Sequence, residues 1–141
     1  MKIGIVGSES IKFTHSGEIE ARIAITKLLI DHKATEVISG GCHLGGIDKW
    51  AIEEAKNLGL KTTEYLPKFH GWEAYKERNL QIANNSDIVY CITVKRLPTT
   101  YEGMKFQLCY HCKTNDHVKS GGCWTMHKAK HGHLIIVENE E

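Results

Sequence analysis

The sequence predicts an α/β domain of Rossmann-like, three-layer build: about five parallel strands flanked by helices, with a small zinc-binding insertion before the last helix. Three observations predict it. Short β-rich runs alternate with longer amphipathic stretches, the pattern of successive strand–helix–strand units. Glycine clusters close the β-rich runs, at the strand ends where such sheets bind ligands. The 141 residues suit one core, so 1–141 is read as a single domain and 94–124 as an insertion within it.

The apolar run Lys2 to Val6 is a strand stopped by Gly7-Ser8. Ser16 to Asp31 reads as a helix. Ser16 can cap it, Glu18 and Glu20 suit its amino end, and Ile19, Ile23, Leu28 and Ile30 form a helical stripe. Glu36 to Ser39 is a second strand, followed by four glycines in seven residues, Gly40 to Gly46. Asp48 opens a helix through Leu58, closed by Gly59. Lys61 to Tyr65 is the third strand, Trp72 to Asn84 the third helix and Asp87 to Thr93 the fourth strand. Thr125 to His131 reads as a short last helix stopped by Gly132, and His133 to Val137 as the last strand. Glu138 to Glu141 is expected to fray.

A net charge of +1 provides no whole-molecule field to recruit nucleic acid or anionic membrane. There is no apolar run long enough to cross a bilayer and no signal-peptide pattern. A cytoplasmic protein with reduced thiols is expected.

Cys109, Cys112, His117 and Cys123 follow C-x2-C-x4-H-x5-C, close to a zinc knuckle. Two thiolates two residues apart can hold one tetrahedral ion from a tight turn, and the imidazole and third thiolate can complete its shell. Core cysteines or a redox pair are the competing readings; a disulfide is disfavoured in a chain without marks of secretion. The expected cofactor is one structural Zn2+, with His111 and His127 as reserve ligands. Cys91 is expected in the core. Cys42 has no identifiable base beside it to make a nucleophile.

Gly7, the Gly40-Gly41 and Gly45-Gly46 pairs, and Gly121-Gly122 all fall at predicted strand ends. Together they point to a phosphate site, because glycine lets backbone approach an anion that helix N–H groups then bind. Ser8 and Thr125 stand where their hydroxyls can join it. None of the clusters fits the Walker pattern or G-x-G-x-x-G after the first strand. His15 and His43 lie in loops on the same edge, as surface residues or as an acid or base near neutral pH, and Trp72 and Tyr75 are expected to pack the third helix, with base stacking as the alternative.

Glu77-Arg78-Asn79-Leu80-Gln81-Ile82-Ala83-Asn84-Asn85-Ser86-Asp87 resembles the E-R-K-x-x-M-A-x-x-S-D stretch of the LOG (Lonely Guy) phosphoribohydrolases. Ser39-Gly40-Gly41 and Gly46-Ile47-Asp48 resemble the S-G-G-x-x-G-x-D loop of the wider SLOG superfamily, which includes the Smf/DprA proteins. Gly121 to Thr125 is similar to the G-G-x-G-T turn of that group. The resemblance covers nearly the whole chain outside residues 94 to 119. It implies a nucleotide or nucleotide-derived ligand, with Arg78 on its phosphate and Asp48 on a ribose hydroxyl; Asp48 as a plain helix cap is the competing reading. By analogy it also implies a homodimer. Two positions depart from the pattern. Lys128 stands where the hydrolases carry a catalytic glutamate, and Trp124 replaces a glycine of the turn. A lysine cannot stabilise an oxocarbenium-like centre as a carboxylate does, so binding is expected rather than base release. The alternatives are a LOG-like hydrolase and a nucleic-acid module built on Lys105, Lys113, Lys119, Lys128 and Lys130. Few aromatics accompany those lysines in sequence, and nucleic acid is the less favoured partner.

Overall fold

Residues that alternate along a strand must face opposite layers, and here they do. A computed structural model describes all 141 residues. Its sheet has five parallel strands, β1 (Lys2–Gly7), β2 (Glu36–Gly40), β3 (Lys61–Tyr65), β4 (Ile88–Val94) and β5 (Gly132–Val137), in the order β3-β2-β1-β4-β5. Ile3, Ile5, Val37, Ile92 and Val94 face a core shared with α1 (His15–Asp31) and α2 (Ile47–Asn57). Val6, Ile38, Val89 and Cys91 face the opposite layer, with Ile82 of α3 (Trp72–Asn85) and Met126 of α4 (Gly121–Lys128). The Rossmann-like α/β class expected from the sequence is the observed one.

α1 departs from its expected face. Thr14, rather than Ser16, caps it, its Oγ1 accepting from the Gly17 N–H at 2.9 Å. The buried side is Ala21, Ile25, Leu28 and Leu29, while Ile19, Ile23 and Ile30 are exposed. The helix is apolar on more than one side, so periodicity alone admits two stripes. Close packing selects the one carrying the small residues Gly17 and Ala21.

α4 begins a turn earlier than expected. The Ser120 hydroxyl accepts from the Gly122 N–H at 3.1 Å and sets the start. Gly121 and Gly122 are therefore helical, and Cys123 lies in the first turn. A Cβ on Gly122 would lie 2.8 Å from the Gly7 nitrogen and 3.1 Å from the Cys91 sulfur. The helix thus rests directly on the carboxyl end of β1.

The tail is not frayed. Asn139 is buried; its Nδ2 donates to the Lys12 and Arg96 carbonyls, and its Oδ1 accepts from the Thr14 N–H.

Gly122→Ala is expected to lower stability by about 1–3 kcal/mol through overpacking. Gly121→Ala, with open space at its Cβ, should leave stability unchanged or raise it by about 0.5–1 kcal/mol. Denaturant midpoints of the two variants check the contrast; equal effects would contradict this seating of α4.

Candidate functional site

β1 lies between β2 and β4, so the chain connections leave its two sides in opposite directions and a crevice opens beyond the strand ends. A cleft of about 540 Å³ occupies that position. Val6 and Gly7 form its floor. α2 contributes Asp48; α3 contributes Trp72, Tyr75, Arg78 and Asn79; α4 contributes Gly121, Gly122, Trp124 and Thr125. The segment between β4 and α4 contributes Tyr110, His111 and Lys119, and Cys42 completes the lining.

Six of the eleven residues expected to bind the ligand meet here: Gly7, Asp48, Arg78, Gly121, Gly122 and Thr125. Ser8, Gly40, Gly41, Gly45 and Gly46 do not line the cleft. The Ser8 hydroxyl is buried against Thr93 Oγ1 at 2.9 Å. Gly40 lies beneath the Arg78 guanidinium, with space for a Cβ only 2.4 Å from Nη1. Gly41 lies against Leu66. Gly45 and Gly46 form the turn into α2, and Gly46, at φ 84°, passes so close to the Ser8 carbonyl that a side chain would collide with it. Three of these four loop glycines, Gly40, Gly41 and Gly46, leave room for neighbouring protein atoms. His15 and His43 stand outside the lining.

Trp72 and Tyr75, expected to pack the third helix or to stack on a base, line the cleft. Trp72 and Trp124 meet edge to face, ring centroids 5.3 Å apart. Lys119 and Tyr110 were not distinguishable from a solvated loop in the sequence. The Lys119 ammonium lies 5.2 Å from both the Tyr110 and Phe106 rings. The only signal that could have marked them is their position beside the Cys/His ligands.

Arg78 is held by donating Nε to Asn79 Oδ1 at 2.7 Å and Nη1 to the Tyr65 carbonyl at 3.3 Å, which leaves Nη2 for a ligand. Asp48 is only 9% exposed, and its enclosed Oδ1 accepts no hydrogen bond. Burial pushes the Asp48 carboxyl up to about 7, against the downward pull of the Arg78 guanidinium. The Gly7 N–H and Ser39 hydroxyl also favour the charged form without closing a bond to Oδ1.

Beside the cleft lies a second group. The Cys109 N–H donates to the Thr114 carbonyl at 2.8 Å and the Lys113 N–H to the Cys109 carbonyl at 2.7 Å, with Lys113 at φ 61°. This tight turn brings Cys109 and Cys112 together. His117 pairs Nδ1 with Asp116 Oδ1 at 2.7 Å, so Nε2 faces Cys123 Sγ, 3.9 Å away. A carboxylate behind an imidazole is the usual means of orienting a metal-binding histidine. The four donor atoms of Cys109, Cys112, His117 and Cys123 all lie within 4.8 Å of one another. Thiolates about 2.3 Å from a tetrahedral ion stand about 3.8 Å apart, so the set can close on one ion. All the cysteines are free thiols. Burial and the neighbouring thiols push Cys112 up to about 12. The reserve ligands stand outside the group. His111 tilts against Tyr110 on the cleft side, and His127 lies 3.2 Å from Cys112 Sγ. Cys91 is buried, 3.8 Å from Cys123 Sγ.

No family model matches the chain, and no curated protein matches it. Among solved structures it is similar to a molybdenum cofactor carrier protein from Chlamydomonas reinhardtii. The identity is 21% and the TM-score 0.48, over 64% of this chain and 60% of that one. The chain therefore spans less than two thirds of that protein's length, and a likeness of this extent carries no argument about function.

Asp48 yields a stability prediction. Its folded pKa is raised, so the folded state keeps the proton that the unfolded state releases, and stability falls as pH rises from about 4 to about 7. Asp48→Asn removes that cost. Its stability relative to the wild type should climb by about 1.4 kcal/mol per pH unit across this window, roughly 4 kcal/mol in all. Urea titrations from pH 4 to pH 8 check it; a difference independent of pH would show that Asp48 is not buried as described.

Proposed function

We propose that the cleft binds a nucleotide or nucleotide-derived small molecule, with a structural zinc ion bracing one of its walls. The carrying observation is the combination in one crevice of Arg78, with an unspent Nη2, the glycine-rich amino end of α4, and the Trp72–Trp124 aromatic pair. A guanidinium and helix N–H groups suit a phosphate, and an aromatic face suits a base. The resemblance to the SLOG motifs supports the same ligand class. Lys128 favours binding over hydrolysis: its ammonium lies 5.4 Å from the Trp124 ring, so α4 presents no carboxylate at the position of the hydrolases' glutamate.

Three thiolates and one imidazole are the donor set of structural zinc. Cys109, Cys112, His117 and Cys123 would hold the ion in a closed shell, with no position left for a reacting water. Its contribution is order. Tyr110 and His111 lie between two of these ligands, Lys119 follows His117 by two residues, and Cys123 separates Gly122 from Trp124. Every cleft residue from the insertion is therefore within two positions of a ligand.

Arg78→Ala should weaken binding of a nucleoside monophosphate by about 1.5–3 kcal/mol, the loss of a charged hydrogen bond. Calorimetric titration of a nucleotide panel checks this, and unchanged affinity would place the ligand elsewhere.

Metal analysis should find one zinc per chain, retained in Cys42→Ser and Cys91→Ser and lost in Cys109→Ser. Because the thiols must ionise to bind it, zinc affinity should fall as pH falls. Chelation should lower both the melting temperature and nucleotide affinity. Full zinc content in Cys109→Ser would exclude the site.

A further inference from the structure

The cleft holds more recognition chemistry than one nucleoside monophosphate can use. Such a ligand has one phosphate and one base, and a base has two faces. Four Trp and Tyr side chains line the cleft, Trp72, Tyr75, Tyr110 and Trp124, together with two cations, Arg78 and Lys119. Each cation lies on a ring of its own. The Arg78 guanidinium is 5.6 Å from the Tyr75 ring. The Lys119 ammonium is 5.2 Å from the Tyr110 and Phe106 rings, which themselves meet edge to face at 5.6 Å. The first couple comes from α3, the second from the segment between β4 and α4. Neither cation is in a salt bridge. Half-buried Arg22, outside the cleft, meets three carboxylates. A half-buried cation without a counter-charge favours an anion from outside.

Lys119 is held more firmly than a lysine on an open loop. The Val118 N–H donates to the Val94 carbonyl at 2.8 Å, and the Thr93 hydroxyl to the Val118 carbonyl at 2.7 Å. Lys12 Nζ donates to the Lys119 carbonyl at 3.3 Å, and Ser120 caps α4. The backbone on both sides of Lys119 is thus fixed from β4, from the connection between β1 and α1, and by α4 itself. The lysine is carried to the cleft at small ordering cost. Tyr110 is 52% exposed, so packing leaves one of its faces for a ligand.

We propose that Tyr110 and Lys119 form a second station of the cleft, and that the ligand is a dinucleotide, two nucleosides joined through phosphate. One nucleotide unit uses Arg78 and the Trp72–Trp124 pair. The second stacks its base on Tyr110 and sets its phosphate against the Lys119 ammonium. The inference rests on the phosphate-binding reading of the same cleft and names the ligand class within it. Stacking a base on an aromatic ring and meeting a phosphate with an ammonium are each worth about tenfold or more in affinity. A nucleic-acid strand would also need a run of cations along its backbone, and a net charge of +1 gives no such field.

The test is calorimetric titration of the full, zinc-loaded chain with AMP, ADP, diadenosine diphosphate and a short oligodeoxyadenylate. Wild type should bind diadenosine diphosphate about tenfold or more tighter than AMP, with ADP between them. Lys119→Met should cut that preference about tenfold, and so should Tyr110→Ala, while Lys119→Arg and Tyr110→Phe should keep it. The wild type alone carries the ligand comparison, so a variant that loses its zinc or fails to fold does not shield the proposal. Equal affinity for AMP and diadenosine diphosphate would overturn the second station and leave the mononucleotide site standing, to be judged by Arg78→Ala. ADP equalling diadenosine diphosphate would overturn the second base, and with it the dinucleotide. A preference kept in both Lys119→Met and Tyr110→Ala would overturn the assignment to these two residues. Tighter binding of the oligonucleotide, falling steeply with salt, would overturn the small ligand in favour of a strand. Binding of none of the four would overturn both readings of the cleft.

Discussion

The direct contact between α4 and the end of β1 is the constraint on which the rest of the molecule depends. It exists because Gly122 carries no Cβ; one there would lie 2.8 Å from the Gly7 nitrogen. Seated there, one short helix serves three purposes. Its first turn carries Cys123 into the thiol cluster, its amino end opens into the cleft, and Trp124 reaches across to Trp72. A helix displaced by one side-chain thickness would disturb all three, because core packing transmits such shifts rather than absorbing them.

The cleft balances stability against recognition. Arg78 lies on Gly40 because that position has no side chain, and Asp48 is enclosed at the neighbouring strand ends without a bond to Oδ1. The enclosed Asp48 oxygen costs folding free energy that an apolar lining would not. Opposite charges from α3 and α2, together with aromatic rings from α3, α4 and the insertion, give the crevice a polar base and an aromatic rim. The segment between β4 and α4 is too poor in apolar residues to form its own core. It borrows one, since Cys109 and Cys123 pack with Val6, Ile38 and Met126 on the α3–α4 face.

Much of this was legible in the sequence, and the reasons for the rest are specific. The strands were readable because Ile3 to Val6 and Val89 to Val94 are apolar runs closed by turn chemistry. The thiol cluster was readable because ligand spacing is a local property, and the structure brings the same four residues together. The buried face of α1 was not, because isoleucines occur on two sides and only the position of small residues decides. The start of α4 was missed because Gly121-Gly122 reads as a turn until Ser120 is seen capping it. In sequence the loop glycines Gly40, Gly41 and Gly46 look like anion contacts, and in the fold their nearest neighbours are Arg78, Leu66 and the Ser8 carbonyl. Sequence shows that a position needs glycine, not what fills the space. The place of Lys119 and Tyr110 in the cleft is not readable from sequence, since it is set by long-range folding.

Asn139 ties together segments that are far apart along the chain. Its side chain bonds to Lys12, Thr14 and Arg96 at once, and Thr14 is the residue that starts α1. The amino end of α1 is therefore fastened by a residue 125 positions away. A contact of such long range closes only after the intervening chain has been brought together, since loop closure opposes it until then. Although α1 is a local structure, its first turn is thus secured by the latest kind of contact to form.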